Sequence, residues 1–458
     1  MLPCQQSKIQ IMCPRKYCSQ WLWLITFAPS CCILNSACAK NPNVVLIMAD
    51  DLGYGDLSCY QGWIKTPHID AIAKRGVRFT DYHSNGTICS PTRAALMTGR
   101  YQQRAGIPSV IAADLKHAAH YSGLQLQETT IAECFKQHGY ATAIFGKWHL
   151  GYFRKYNPTH QGFDKFVGYV SGNIDFRSHV DQAGVFDWWH NLQPSSEKGY
   201  STHLITSHAV AFIHANKHQP FFLYVPHEAP HYPYQGPQDP AHRTVNGEFN
   251  NRGTRTDTKE AYREMVREMD NGVGAIIDAL TDTAIIDDTI VIFCSDNGAT
   301  TLGSNGALRG YKATNFEGGH RVPCVVQWPG HIKAGRESTQ LLASMDLLPS
   351  LFGLAKLNLV KRGKFDGLDL SDQFRDAHPP VERTLVWNGT AIRRGRWKYM
   401  SAQKGLPVDS LFDLAGDLSE SKNYIEQYPR ITMSFRKELA RWHASMEKSK
   451  TTQPTRSE

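Results

Sequence analysis

Along this chain, short and wholly apolar runs alternate with longer segments whose apolar positions recur at helical spacing. Val44-Val45-Leu46-Ile47-Met48-Ala49 is continuously aliphatic from the residue after Asn43. A run of that length and β-branched character predicts a strand buried on both faces of a sheet. Residues 140–145, 221–225, 289–294 and 324–328 repeat the pattern, and 77–80 is a shorter version. Residues 69–75, 131–137, 259–280 and 344–354 read as helices. In the third of these, Tyr262, Met265, Met269, Val273, Ile276 and Ile277 form one stripe. Strands alternating with helices predict an α/β fold with a large, mostly parallel sheet covered on both sides.

In such sheets ligands collect beyond the carboxyl ends of the strands. This chain puts its polar clusters there. Asp50-Asp51-Leu52-Gly53 follows the first run and Gly146-Lys147-Trp148-His149 the second. Pro226-His227-Glu228-Ala229-Pro230-His231 follows the third, and Ser295-Asp296-Asn297-Gly298 the fourth. Beyond about residue 365 the texture changes. Residues 385–387, 397–400 and 410–414 predict short antiparallel strands, followed by a helix from about Arg430 to Met446 and a polar tail. The expected organisation is a main domain over 40–365 and a small C-terminal α+β subdomain over 366–458. Residues 234–258, rich in Gly, Pro, Asn and charge, read as a long surface insertion.

The first 39 residues stand apart. Lys8, Arg15 and Lys16 precede the apolar stretch Trp21–Phe27, and Ala37-Cys38-Ala39 follows. Basic, then apolar, then small is the order of an export signal. The apolar stretch is too short to predict a membrane span. The expectation is an exported protein, periplasmic or extracellular, with a form lipid-anchored near Cys31, Cys32 or Cys38, or a lysosomal location, as the lesser alternatives. Six of the eleven cysteines fall in this leader, which leaves Cys59, Cys89, Cys134, Cys294 and Cys324. That is no disulfide framework, and Cys294 and Cys324 read as buried small hydrophobes. The formal charge of +8 is spread without basic runs or a dense stripe. It argues against nucleic acid as a partner and favours an anionic ligand.

Two adjacent carboxylates leaving a central strand are costly unless charge-compensated. Asp50 and Asp51, with Asp296 and Asn297 at a second strand end, make a hard oxygen set suited to Ca²⁺ or Mg²⁺ rather than Zn²⁺. His227 to His231 spells H-E-x-x-H, but the zinc-protease mechanism needs both histidines on one helical face. Pro226, Pro230 and Pro233 forbid that helix. In the stretch from Cys89 to Arg100, Pro91 suits a first turn, Ala94-Ala95-Leu96-Met97 are strong helix formers and Gly99 is a terminator. Cys89 then sits at a helix N-terminus that favours an anion, with Arg93 one turn later on the same face. Lys312, read alone, is a solvated surface lysine.

Cys89-Ser90-Pro91-Thr92-Arg93, with Leu96-Met97-Thr98-Gly99-Arg100, resembles the signature of the type I sulfatases, with Thr92 in place of the commoner Ser. Ser84-Asn85-Gly86-Thr87 and Phe316-Glu317-Gly318-Gly319 place the resemblance in the arylsulfatase and N-acetylgalactosamine-6-sulfatase branch. It runs from about Asn43 through the C-terminal subdomain. The resemblance implies an alkaline-phosphatase-like α/β/α sandwich and one divalent cation, Ca²⁺ with Mg²⁺ as the alternative. It implies that a maturation enzyme oxidises Cys89 to formylglycine (3-oxoalanine). Asp50, Asp51, Asp296, Asn297 and the residue made from Cys89 match the metal ligands. Arg93, Lys147, His149, His231 and Lys312 match the remaining active positions, and Ser171 matches a sulfate-contacting position more loosely.

In the roles so implied, the hydrated aldehyde attacks sulfur and the cations neutralise the sulfate. His149 takes the proton that lets sulfate leave, and His231 with Lys312 protonates the departing alcohol. The implied substrates are sulfated carbohydrates or aryl sulfates. Two other readings stay open. One is a phosphonate or phosphate ester hydrolase of the same superfamily, although a two-zinc phosphatase would want a histidine where Asn297 stands. The other is an inactive exported Ca²⁺-dependent glycan-binding protein, with Trp188 and Trp189 as a sugar-stacking surface. The full set of site residues argues against the second.

Overall fold

A central strand, β1 (Asn43–Ala49), is buried at every position and carries the first pair of site carboxylates on its carboxyl end. The computed structural model describes residues 41–359 and 365–451. The leader expected over residues 1–39 lies outside the described residues, as does nearly all of the polar tail.

After β1 come α1 (Pro67–Arg75), β2 (Val77–Phe79), β3 (Tyr82–His83), α2 (Cys89–Thr98), α3 (Ile131–Gln137), β4 (Ala141–Lys147) and β5 (Lys165–Tyr169). The middle of the chain forms β6 (Trp189–His190), β7 (Gln193–Pro194), α4 (Ser201–Asn216), β8 (Phe221–Pro226), α5 (Thr258–Asp282) and β9 (Thr289–Ser295). Then follow α6 (Glu317–His320), β10 (Cys324–Gln327), β11 (Arg336–Ser338), β12 (Leu342–Ala343), α7 (Leu347–Ala355) and α8 (Ser371–Arg375). The chain closes with β13 (Thr384–Trp387), β14 (Ala391–Arg394), β15 (Trp397–Met400), β16 (Ser410–Asp413) and α9 (Pro429–Glu447).

Ten strands form one sheet in the order β11-β2-β10-β9-β1-β8-β4-β5-β6-β7. The segment β9-β1-β8-β4-β5 is parallel throughout, while β10 and the β6–β7 hairpin flank it antiparallel. Side chains alternate across a strand with period two. Val44, Leu46 and Met48 therefore share one core with Leu96 of α2, Phe135 of α3 and Leu351 of α7. Val45, Ile47 and Ala49 share the opposite core with Ile69 of α1, Ile205 of α4 and Met265 of α5. The doubly covered sheet expected from the apolar runs is present. Its parallel centre sends five strand ends to one edge.

Strands β13 to β16 form a separate antiparallel sheet. Leu385, Trp387 and Leu411 of this sheet pack with Phe435 of α9 in a third core that also takes in Ala95 of α2 and Tyr101. The C-terminal strands thus close against the helix that begins at Cys89. The five cysteines within the described residues are free, and Cys294 and Cys324 face each other across β9 and β10, both buried. No helix among the described residues is long and apolar enough to cross a membrane.

The structure departs from the sequence reading in several places. Helix α4, strands β5 to β7 and strand β14 were not foreshadowed by periodicity. The segment beginning at Ser344 opens with a 3-10 turn, Ser344–Asp346, before α7. Residues 234–258 contain almost no regular structure, but they are not wholly a surface insertion. Arg243 is fully buried, with Nη1 donating to Asn173 Oδ1 at 2.8 Å and Nη2 to the Asn251 carbonyl at 2.8 Å. Its guanidinium pins the segment to the loop that follows β5.

Candidate active site

The first strand end sets the geometry. Asp51 adopts φ 67° and His149, beyond β4, adopts φ 52°, both in the left-handed region. Such backbone costs a side-chain-bearing residue about 1–3 kcal/mol and persists only where the surroundings enforce it. For Asp51 those surroundings are Asp296, Ser295 and Asn297. The Asp51 N–H donates to Asp296 Oδ1 at 3.2 Å, and the N–H of Leu52 donates to Ser295 Oγ at 3.2 Å. Asn297 Nδ2 donates to Asp51 Oδ1 at 2.7 Å. Neighbouring strands β1 and β9 are thereby locked together through their site residues. A Cβ on Gly298 would lie 1.8 Å from the Gly318 carbonyl oxygen, so only glycine lets this loop close on α6.

Helix α2 delivers Cys89 at its first residue. All ten of its residues are buried, and it ends on Gly99 at φ 63°, whose N–H donates to the Ala95 carbonyl at 2.9 Å. The N-cap residue, Ile88, offers no side-chain acceptor to the first turn. Cys89 Sγ lies 3.4 Å from Asp50 Oδ1 and 3.4 Å from Lys312 Nζ. Arg93 sends Nε and Nη2 to Asp296 Oδ2 at 3.2 and 2.9 Å and Nη1 to the Lys147 carbonyl at 3.2 Å. Lys147 Nζ bonds Asp50 Oδ2. Lys312 Nζ stands 2.6 Å from Asp51 Oδ1, so the lysine that reads as solvated from sequence belongs to the cluster. Its loop is fixed by Lys312 N–H on the Ala299 carbonyl and Ala313 N–H on the Thr87 carbonyl.

Three buried carboxylates, Asp50, Asp51 and Asp296, thus meet three cations, Arg93, Lys147 and Lys312. Burial alone would raise the Asp51 carboxyl, but Lys312 and His231 hold it below the usual range. Burial raises Asp296. His149 is held well below the ordinary imidazole value by burial and then by Lys147. His231 is lowered in the same way by burial and Lys312. Both imidazoles are therefore neutral at neutral pH. Burial and Asp50 push the Cys89 thiol up to about 12, the opposite of what a thiolate nucleophile needs.

The cluster fits a hard divalent cation. Asp51 Oδ2 and Asn297 Oδ1 are buried oxygens without a hydrogen-bond partner. Donor atoms of Asp50, Asp51, Cys89 and His231 all lie within 4.8 Å of one another. Nδ1 of His231 is 2.7 Å from the Tyr232 carbonyl, which leaves Nε2, 3.7 Å from Asp51 Oδ2, without the proton. Asp296 is engaged by Arg93 on one oxygen and by the Asp51 N–H on the other. Oxygen-rich donor sets of this kind suit Ca²⁺ or Mg²⁺.

Nine of the sequence-predicted site residues are joined by these contacts, and His149 feels the charges of Lys147 and Arg93. Its Nε2 is 3.0 Å from the Ile111 carbonyl, and Nδ1 is buried without a partner. The Ser171 hydroxyl donates to the Asn173 carbonyl at 3.1 Å and its N–H to Asp187 Oδ2 at 2.8 Å, one residue before the glycine that packs on His149. Trp188 is buried and stacked on His179 at 4.5 Å, so it is no sugar platform. Sequence reasoning missed Tyr262, whose hydroxyl donates to Asp56 Oδ2 at 2.6 Å and lies 3.2 Å from the Asp51 carbonyl. It also missed Gly172, where an added Cβ would sit 3.0 Å from His149 Cε1. Neither carries a local signal; Tyr262 reads as one more member of an apolar stripe.

The sulfatase family model matches residues 42–357. Arylsulfatase A of Homo sapiens is 36% identical over 425 residues, covering 84% of this chain and 80% of that protein. N-acetylgalactosamine-6-sulfatase of Canis lupus familiaris is 35% identical over 376 residues, covering 76% of this chain and 69% of that protein. A crystal structure of Ps i-CgsB in complex with k-i-k-neocarrahexaose superposes with a TM-score of 0.75 at 28% identity, covering 88% of this chain and 93% of that one.

Proposed function

We infer the finer chemistry from one premise: this chain belongs to the sulfatase family and hydrolyses sulfuric esters. The substrate we propose is a sulfated carbohydrate, the nucleophile a formylglycine made from Cys89, and the cofactor one Ca²⁺, with Mg²⁺ as the alternative. The observation that carries this reading is the position of Cys89. It is a protonated thiol, buried at a helix N-terminus, with Asp50 on one side and Lys312 on the other. A catalytic thiolate would be poorly served there. An oxidised residue 89 would be well served, because formylglycine when hydrated supplies a geminal hydroxyl pair, one to attack and one to release the ester.

Asp50, Asp51, Asp296, Asn297 and residue 89 would hold the cation, which supplies charge to polarise the ester oxygens. The protein's own charges balance in threes, so a bound divalent ion leaves the site cationic and receptive to a sulfate anion. Lys147 and Lys312 are placed to hold sulfate oxygens, and Arg93 fixes Asp296 from behind. His149 donates Nε2–H to the Ile111 carbonyl, which leaves Nδ1 as the proton acceptor. His231 is neutral at neutral pH, so Lys312 is the hydrogen-bond donor available to the leaving oxygen. This shifts weight from His231 to Lys312 within the pair implied by the sequence resemblance. The leader sequence supports an exported protein, matured by a formylglycine-generating enzyme.

The test is a desulfation screen over defined sulfated oligosaccharides, an aryl sulfate and the matched aryl phosphate, with mass analysis of the Cys89 peptide. Sulfate release from at least one oligosaccharide is expected, together with the thiol-to-aldehyde mass change and loss of turnover to background in Cys89→Ala. Faster turnover of the phosphate, or activity retained in Cys89→Ala, refutes the reading.

A further inference from the structure

Far along the sheet from β1, three segments meet at the β5 edge. His190 lies on β6, Glu197 in the stretch after β7, and His208 on α4. One donor atom from each lies within 4.8 Å of the others. His190 Nε2 is 3.1 Å from Glu197 Oε2. His208 Nε2 is 3.0 Å from that same oxygen and 2.9 Å from Oε1. The two imidazoles stand edge to face, with centroids 5.3 Å apart and planes at 89°, so their Nε2 atoms converge instead of stacking. The carboxylate is oriented from behind by Trp188, whose Nε1 donates to Oε2 at 3.0 Å. Phe145 of β4 packs on His208 at 5.8 Å.

An ordinary ion pair needs one imidazole for one carboxylate. Here two imidazoles meet one carboxylate, His208 across both oxygens and His190 on Oε2, which already accepts from an indole. A metal ion between them would use the nitrogen lone pairs instead. In a tetrahedral zinc site with bonds of about 2.0–2.2 Å, neighbouring ligand atoms lie about 3.3–3.6 Å apart. The separations observed, 2.9–3.1 Å, need only a small relaxation to reach that spacing. Two imidazoles and one carboxylate select zinc-type ions over calcium, and a carboxylate held by a neighbouring N–H is the usual support for such a ligand.

We propose that His190, Glu197 and His208 form a second metal site, for a zinc-type transition ion, independent of the hard-oxygen centre at Asp50 and Asp51. The His190 side chain is 44% exposed, which leaves the fourth coordination position toward solvent. The ion would clip the β6–β7 hairpin to α4. Asp187, just before β6, receives the N–H groups of Val170 and Ser171, next to the glycine that abuts His149. The clip would therefore steady one wall of the catalytic cleft without touching the reacting atoms.

Co²⁺ serves as the spectroscopic probe for zinc, added to the full-length protein with Ca²⁺ held in large excess to fill the oxygen site. One Co²⁺ per chain is expected, with the intense visible absorption of a four-coordinate ion, and Zn²⁺ should displace it. His190→Ala, His208→Ala and Glu197→Gln, each of which removes a direct ligand, should each abolish that absorption. His190 is exposed enough that its truncation leaves the fold intact, which a thermal melt in calcium verifies. Absence of the four-coordinate spectrum in the wild type overturns the proposal. So does a spectrum that survives both histidine variants and disappears in Asp51→Asn, which would place the ion in the catalytic centre.

Discussion

At the residue scale, the site relies on imidazoles kept neutral among fixed charges. His149 sits well below the ordinary histidine value because it is buried and because Lys147 and Arg93 are near. The proton-accepting role proposed for it needs the neutral form, which exists above its pKa in the folded protein and is lost below it. The acid limb of kcat/KM should therefore fall below pH 6.5, the unperturbed value of about 6.5 marking its upper bound. Lys147→Met removes the largest charge contribution while burial stays. That variant should lose about 10²–10³-fold in kcat, and its acid limb should move to higher pH. A pH–rate profile of wild type and variant checks both; a limb that does not move assigns the titration to another group. Much of the site was legible residue by residue. Asp50, Asp51, Asp296 and Asn297 stand where apolar runs stop, and Cys89 and Arg93 share a local helical pattern. Lys312 was not legible alone, because what makes it functional is Asp51, far away in sequence.

At the element scale, α5 does more than cover the sheet. Its Tyr262 belongs to the apolar stripe, yet the hydroxyl at the end of the ring lies between two acceptors, Asp56 Oδ2 at 2.6 Å and the Asp51 carbonyl at 3.2 Å, and its one proton braces this corner of the site. Tyr262→Phe keeps the ring and removes the brace. We expect calcium affinity to fall by about tenfold, the low end for lost outer support of a metal ligand, with little change in stability. Isothermal titration with Ca²⁺ measures it, and unchanged affinity would make Tyr262 a packing residue only. The elements that announced themselves were those with uninterrupted apolar runs or a clean stripe, such as β1, β8, β9 and α5. Helix α4 did not, because Ser, Thr and His are threaded among its apolar residues and the β-branched ones favour strands as much as helices. Strands β6 and β7 are two residues each and owe their existence to pairing with β5, which no local pattern encodes.

At the scale of the whole molecule, the C-terminal sheet is wired to the catalytic loops by buried charge. Lys398 of β15 is fully buried, 3.0 Å from Glu317 and 2.9 Å from Glu420. Arg393 of β14 reaches Asp81 at 2.6 Å and Glu317 at 3.2 Å, and Trp387 stacks on His320 at 4.2 Å. Glu317 opens α6, directly after the loop that carries Lys312. Lys398→Met leaves the buried Glu420 without a cation, while Glu317 keeps Arg393, and should cost about 3–5 kcal/mol. Lys398→Arg, which keeps the charge, should cost much less. Denaturant unfolding of the two variants decides this, and equal stability would mean that the network is electrostatically idle. Glu317 and Lys398 are separated by 81 positions in sequence. The sequence texture predicted the small sheet but could not pair its lysine with that glutamate.

Helix α2 is enclosed on every side, and Cys89 keeps only 3% of its surface exposed. For a residue proposed to be chemically converted by another protein, that enclosure is a deadline. The converting enzyme can reach the thiol only before the chain closes around it, so oxidation and folding run as competing clocks. A molecule that folds first keeps its sulfhydryl for life, indistinguishable in shape from an active one. The specific activity of a preparation then counts how many chains were caught in time. Conditions that slow folding should raise it, and further stabilising the finished structure should not.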